Sequence, residues 1–368
     1  MDKLISRLAG ELNLTTQQIS RVLELIEAGS TIPFIARYRK ELTGSLDEVV
    51  LANIRDRHEQ LKELEARKEA ILKSIEKQEK LTPALATAIE AAETMAELED
   101  IYLPYKPKRK TRASIAREKG LEPLAQVLFR QEAGDINKKA AEFVSSEKGV
   151  GTPDEALEGA RDIMAEWVSE DAGARKSLRD LFWKEGVMES RVVKSKAETE
   201  DGQKFKDYFD WKEPIRKTPS HRLLALLRGE KEGILLLDLA PEEDVAVAKL
   251  NQQFVKTSSP AAEQVKLAVK DSYKRLIKPS LESEVRVESK RLADAEAINV
   301  FSANLRKLLL AAPLGQKRVL ALDPGFRTGT KVVCLGEQGE LLLNTVIYPH
   351  EPQRETAKSG TIILGLCD

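Results

Sequence analysis

Two short stretches carry residue types that could act on a polyanion. Ile101–Arg112 (IYLPYKPKRKTR) gathers Lys106, Lys108, Arg109, Lys110 and Arg112, and no acidic residue occurs between Ile101 and Arg117. Pro104 and Pro107 favour an extended backbone, because proline fixes φ and biases the preceding residue away from helix. Cations in such a segment contact phosphates, and the rings of Tyr102 and Tyr105 offer faces for bases. A solvated linker whose tyrosines pack on the preceding helix is the plainer alternative. The second stretch, Ile32–Glu41 (IPFIARYRKE), sets Arg37, Arg39 and Lys40 around Tyr38. Alone it reads equally as a packed turn with solvated ends. A third candidate is Asp323, which follows the apolar run Val319–Leu322 and precedes Pro324-Gly325. A carboxylate there could hold a hard divalent cation, or simply cap the turn. One aspartate does not build a two-metal site.

Composition narrows the classes. The 368 residues exceed one typical domain, with 42% hydrophobic and 32% charged residues, which excludes a mainly disordered chain. Net charge is −1, so any nucleic-acid surface must be a local patch rather than a global field. Two distant cysteines, Cys334 and Cys367, argue against a disulfide framework or a cysteine zinc site and for a reducing compartment. No signal peptide and no membrane-spanning run is evident, so the expected location is cytoplasmic, with no membrane partner.

The elements that must position these residues are mostly helical. Leu4, Ile5, Leu8 and Leu12, then Ile19, Val22, Leu23 and Ile26, repeat at helical spacing, with Thr15 or Thr16 capping and Gly29 closing. Two short helices with a tight connection suggest a helix-turn-helix, a geometry also common in plain helical packing. A long helix follows from Ser45, capped by Ser45 with Glu48, its seam Ile54, Leu61, Leu64, Ile71 and Ile75 interrupted by Arg57 and Lys68. Thr82-Pro83 and Thr152-Pro153-Asp154-Glu155 open further helices; the first carries a face from Leu85 to Met95 into the basic segment. Strand signals occupy Val187–Lys196 and Gly233–Leu239, with a turn at Asp201-Gly202. Tyr208, Phe209 and Trp211 read as core. Helices are expected over Pro260–Leu276 and Leu281–Ala312, broken at Lys278-Pro279. At Arg318 the pattern changes to strands: Val319–Leu322, Lys331–Leu335 and Glu340–Tyr348. That antiparallel opening suits a ribonuclease-H-like sheet, and equally a sugar-kinase or actin-like ATPase.

Four stretches together resemble the Tex family of bacterial transcription accessory proteins: Thr31–Glu41 (TIPFIARYRKE), Glu99–Arg112 (EDIYLPYKPKRKTR), Pro219–Glu230 (PSHRLLALLRGE) and Val319–Thr328 (VLALDPGFRT). The resemblance runs in order from the N-terminus to about Pro352. It implies a helical N-terminal region with helix-turn-helix elements, a long central helix and a YqgF domain of ribonuclease-H-like fold. The family continues with helix-hairpin-helix modules and a C-terminal OB-fold RNA-binding domain. It also resembles the core of a eukaryotic elongation factor that chaperones histones. After Pro352 the family would continue into an amphipathic helix and further strands, whereas Gln353–Asp368 reads as a non-family tail. The expectation is therefore a chain truncated within the YqgF domain.

The fold expected is mainly α: a multi-helix region over 1–200, a central helical region with a long connecting helix over 201–317, and an incomplete ribonuclease-H-like α/β domain over 318–368. The function expected is non-catalytic nucleic-acid binding linked to transcription, through Arg37, Arg39, Lys40, Lys106, Lys108, Arg109, Lys110 and Arg112. RNA or DNA is the expected ligand, with RNA polymerase or the ribosome as protein partners. No catalytic residue, metal or cofactor is expected. A helical protein-interaction scaffold is the alternative, and a metal-dependent nuclease a more distant one.

Overall fold

The computed structural model describes residues 2–107, 109–132, 134–325 and 328–367. The chain folds as two compact units, Met1–Asp294 and Ala295–Asp368.

In the first unit, the helix Glu48–Glu76 threads two small cores. Its first half buries Leu51, Ile54 and Leu61 against the helices Asp2–Leu12, Thr16–Glu27 and Ile32–Tyr38. Its second half buries Leu64, Ile71 and Ile75 with Ile89, Leu98 and Tyr102. The apolar seam read from the sequence is thus buried throughout, but the start is displaced. Asp47, not Ser45, caps the helix, accepting from the Val50 N–H at 2.8 Å, while Ser45 sits at φ 61° in the preceding turn. Lys68 does not interrupt the seam. It is buried, and its ammonium donates to Glu65 Oε1 and to the Glu90 carbonyl, both at 2.9 Å. A long side chain can lie along apolar surface provided its head finds acceptors.

Thr82 and Thr152 cap their helices as expected, accepting from the N–H groups of Leu85 and Glu155. The first of these helices stops at Ala91, however, and Thr94 caps a separate one, Met95–Tyr102. Met95 therefore lies on no common face with Leu85; it is exposed.

The largest core runs from Ala113 to Ala293. Helix Pro153–Glu170 buries Leu157, Ala160, Ile163 and Met164 at its centre. A three-stranded antiparallel sheet joins it: β1 Val187–Val192, β2 Asp210–Pro214 and β3 Leu235–Ala240, in the order β2-β1-β3. β2 is not evident from the sequence, where its aromatic residues read only as core. Trp211 and Tyr208 do pack against that core, but Trp211 also stands opposite Ser190 in the sheet. Asp201-Gly202 lies in a short helical turn, Glu200–Gln203, capped by Thr199.

The expected break at Lys278-Pro279 is absent. Proline has no N–H and crowds the carbonyl four residues back. Here a π turn at Ser272–Ile277, whose bonds reach one residue further, accommodates it. Helical backbone runs on from Pro260–Asp271 into Lys278–Leu309.

In the second unit, β4 Val319–Gly325, β5 Gly329–Leu335 and β6 Leu341–Ile347 form the expected antiparallel meander. Leu322 stands opposite Val332, and Thr330 opposite Ile347. Val332 and Ile347 are buried, whereas Leu322, Leu341 and Leu342 are exposed. Beyond Pro352 the chain forms a helix, Thr356–Cys367. No helix of the described residues is long and apolar enough to cross a membrane.

Candidate nucleic-acid interface

The first basic cluster is built by a seven-residue helix, Ile32–Tyr38, with Pro33 in its first turn. Ile35 and Ala36 turn inward onto the core around Ile19, Leu51 and Ile54. Helical spacing then puts Phe34, Arg37 and Tyr38, at i, i+3 and i+4, on one outer face. All three are exposed, Tyr38 at 57%. The Phe34 and Tyr38 rings lie 5.3 Å apart, tilted by 46°. Arg39 ends the helix, its N–H donating to the Ile35 carbonyl at 3.0 Å. Its guanidinium lies 5.2 Å from the Phe34 ring centre and donates to the Tyr38 carbonyl at 3.0 Å. Lys40 opens the next turn, Lys40–Thr43, which is fixed by Gln18 donating to the Thr43 carbonyl at 3.3 Å. Among the described residues no carboxylate is paired with Arg37, Arg39 or Lys40. Phe34 does not stand out in the sequence, although its spacing from Tyr38 is there to be read.

The second cluster has a different character. Tyr102 is buried; its hydroxyl is 2.9 Å from Ser74 Oγ, and Arg67 lies over its ring at 5.6 Å. Tyr105 is half-buried against the same core, and its carbonyl accepts from Gln78 at 2.9 Å. Neither ring flanks the charge run as a free platform, because the chain turns through a 3-10 helix at Leu103–Tyr105 and packs both rings inward. The backbone is extended at Lys106 and again at Thr111, which caps the helix Arg112–Glu118 in a reciprocal box with Ser114. Lys106 lies 3.9 Å from Glu99, and Lys110 3.2 Å from Glu118. Arg109 and Arg112 are exposed. Lys108 lies outside the described residues.

Beneath this segment is a cleft of about 440 Å³ lined by Lys106, Thr111, Arg112, Asp162, Glu166 and Arg275, among others. Its lining sets Lys106, Arg112, Arg175 and Arg275 against Asp162, Glu166 and Glu170, and several of these pair with a residue in or just outside the cleft. Arg117 donates to Glu166 at 2.6 Å, and Arg275 reaches Asp162 at 3.2 Å. Burial pushes the Asp162 carboxyl up, against the pull of Arg275 and Arg112. A pocket so balanced in sign has no net preference for an anion.

Asp323 is exposed within β4, opposite Lys331 on β5, rather than at the turn. Among the described residues no three His, Cys, Asp or Glu side chains converge as a metal site.

The fold and these surfaces define a class: a helix-rich scaffold with local cationic clusters, followed by the opening sheet of a ribonuclease-H-like domain. Three family models match the chain. They are the Tex-like protein N-terminal domain over residues 2–76, the Tex central region-like model over 131–301 and the Tex protein YqgF-like domain over 317–368. The chain belongs to the Tex family. It is 43% identical over 374 residues to the protein tex of Bordetella pertussis, covering 98% of this chain and 47% of that one. It is 42% identical over 362 residues to the transcriptional accessory protein Tex of Neisseria gonorrhoeae, covering 97% and 47%. The human S1 RNA-binding domain-containing protein 1 is 28% identical over 376 residues, covering 98% and 38%. The chain spans about half the length of the bacterial relatives it matches. The YqgF-like match continues past Pro352 to residue 368, through the segment that reads from the sequence as a non-family tail.

Proposed function

We propose that this chain is a non-catalytic nucleic-acid-binding part of a transcription accessory protein. The observation that carries the reading is the cluster Arg37, Arg39 and Lys40, whose charges no described carboxylate neutralises, on a chain of net charge −1. Unneutralised cations on a rigid helix end are suited to phosphate contact. Arg109 and Arg112, exposed beside the partly paired Lys106 and Lys110, form a second, weaker contact. Family membership supports a role in transcription, and the name of the human relative associates RNA binding with that protein. RNA polymerase and ribosome components are the protein partners to test first.

The test is equilibrium binding of labelled RNA and DNA across a salt series. Replacing Arg37, Arg39 and Lys40 together by alanine is expected to weaken binding without sequence preference. Each phosphate no longer neutralised should make the slope of log affinity against log salt shallower by roughly 0.7–0.9. An unchanged slope in this variant and in Arg109→Ala/Arg112→Ala would refute the reading. A second reading, a protein-interaction scaffold, is favoured by exposed Ile298, Phe301, Leu305 and Leu308 on the helix Lys278–Leu309. Loss of polymerase or ribosome capture in Phe301→Ser, with oligonucleotide binding absent throughout, is the result that would favour it.

A further inference from the structure

We infer that the Phe34–Tyr38 ring pair is a stacking platform for an unpaired base, so that this cluster takes single-stranded rather than duplex nucleic acid. The inference rests on the nucleic-acid reading above and deepens it.

The two rings are 5.3 Å apart and mutually tilted, too close for a base to slide between them. They act as one surface. One end of that surface is occupied, because Arg39 lies over Phe34 at 5.2 Å. The other end is Tyr38, 57% exposed. A large ring left this open is held in place from behind: Ile35 and Ala36, on the inner face of the same helix, are buried in the core. The backbone that presents the ring is therefore anchored, and the neighbouring Phe34 ring restricts it on one side, which lowers the ordering cost of stacking. Arg37 precedes Tyr38 in the chain and Lys40 follows two residues on, both exposed. Exposed cations this near an open ring along the chain suit a strand whose base lies on the ring and whose neighbouring phosphates meet the cations. In a duplex the base faces are already stacked on each other, so only an unpaired nucleotide offers one. An acidic protein segment would also meet the cations, but it brings no flat face to Tyr38.

The test uses the whole chain, a fluorescent oligonucleotide of about 12 unpaired pyrimidines, its duplex, and polyglutamate as competitor. Tyr38→Ala should lose roughly fivefold to a hundredfold in affinity for the single strand, with the salt slope unchanged; Tyr38→Phe should keep most of it. Duplex binding should change little in either variant. Circular dichroism melting confirms that these exposed-site variants are folded. If Tyr38→Ala binds the single strand as well as the parent while the Arg37, Arg39 and Lys40 variant does not, the platform is overturned and the cationic reading stands. Equal losses for single strand and duplex also overturn it. Polyglutamate competing as well as the oligonucleotide would assign the surface to an acidic protein. If no variant changes binding, both readings fail.

Discussion

The carboxylate of Asp100 lies 2.5 Å from the Nε of Arg175, with both residues more than nine-tenths buried. Its other oxygen accepts from Arg179 at 2.6 Å, and Arg175 reaches Ser280 at 3.0 Å. Arg179 in turn pairs with Glu284. One acid just ahead of the basic segment therefore ties the helix Met95–Tyr102 to Ala172–Glu185 and, through the arginines, to the start of Lys278–Leu309. Removing one partner of a buried charge network costs more than the network contributes, because the remaining charges stay buried.

Asp100→Ala is accordingly expected to destabilise the chain by about 3–5 kcal/mol, measured by urea unfolding. Proteolysis between Lys106 and Arg112 should accelerate in the same variant. A loss under about 1 kcal/mol would mean that water reaches the two guanidinium groups.

Glu11 gives a pH-dependent prediction. It accepts from Arg57 at 2.6 Å and from Arg7 at 2.9 Å. The Arg57 hydrogen bond, foremost, holds its carboxyl down at about 2 from an ordinary 4.5, although burial opposes this. The folded value lies below the unfolded one, so the stabilisation is complete above about pH 4.5 and fades as pH falls toward 2. About a third of each side chain is exposed, so screening limits the effect to roughly 0.5–1 kcal/mol. In Glu11→Gln, stability at neutral pH should drop by that amount, and the difference from the parent should vanish near pH 2. A constant difference at every pH would dissociate the effect from titration.

Gly229 tests the packing of the helix Ser220–Lys231 on β3. A Cβ there would lie 2.6 Å from Leu235 Cδ1 and 2.9 Å from Phe205 Cδ1, both on buried residues. Overpacking of this kind costs about 1–3 kcal/mol, so Gly229→Ala should lower the melting temperature despite its better helix propensity. A stabilised variant would show that the sheet shifts freely under the helix.

What can be read from the sequence follows the range of the forces involved. Thr82-Pro83 and Thr152-Pro153 are legible because a cap is satisfied within four residues. The strands β4 to β6 are legible because apolar runs and glycine turns are local signals. Pro279 misleads because the widened turn that accommodates it precedes it by several residues. Lys68 misleads because its acceptor, the Glu90 carbonyl, lies on another helix. The candidate interface shows the same limit. The positions of Tyr38 and Tyr102 beside cations look alike in sequence, yet one ring is open and the other is bonded to Ser74. Only the tertiary packing separates them.

The helix Glu48–Glu76 has a consequence as a measuring rod. Its near end seats the helix that carries Arg37 and Tyr38; its far end, at Ile75 and neighbouring Gln78, seats Tyr105, where the Lys106–Arg112 run begins. With no glycine or proline along its length, the rod is stiff, and Ile54 to Ile75 spans about 32 Å. If both clusters contact phosphates as proposed, two footholds at a set spacing hold a flexible polymer by avidity only once the polymer can reach both. Oligonucleotides should therefore show a threshold in chain length, with affinity rising abruptly when one strand can bridge the rod.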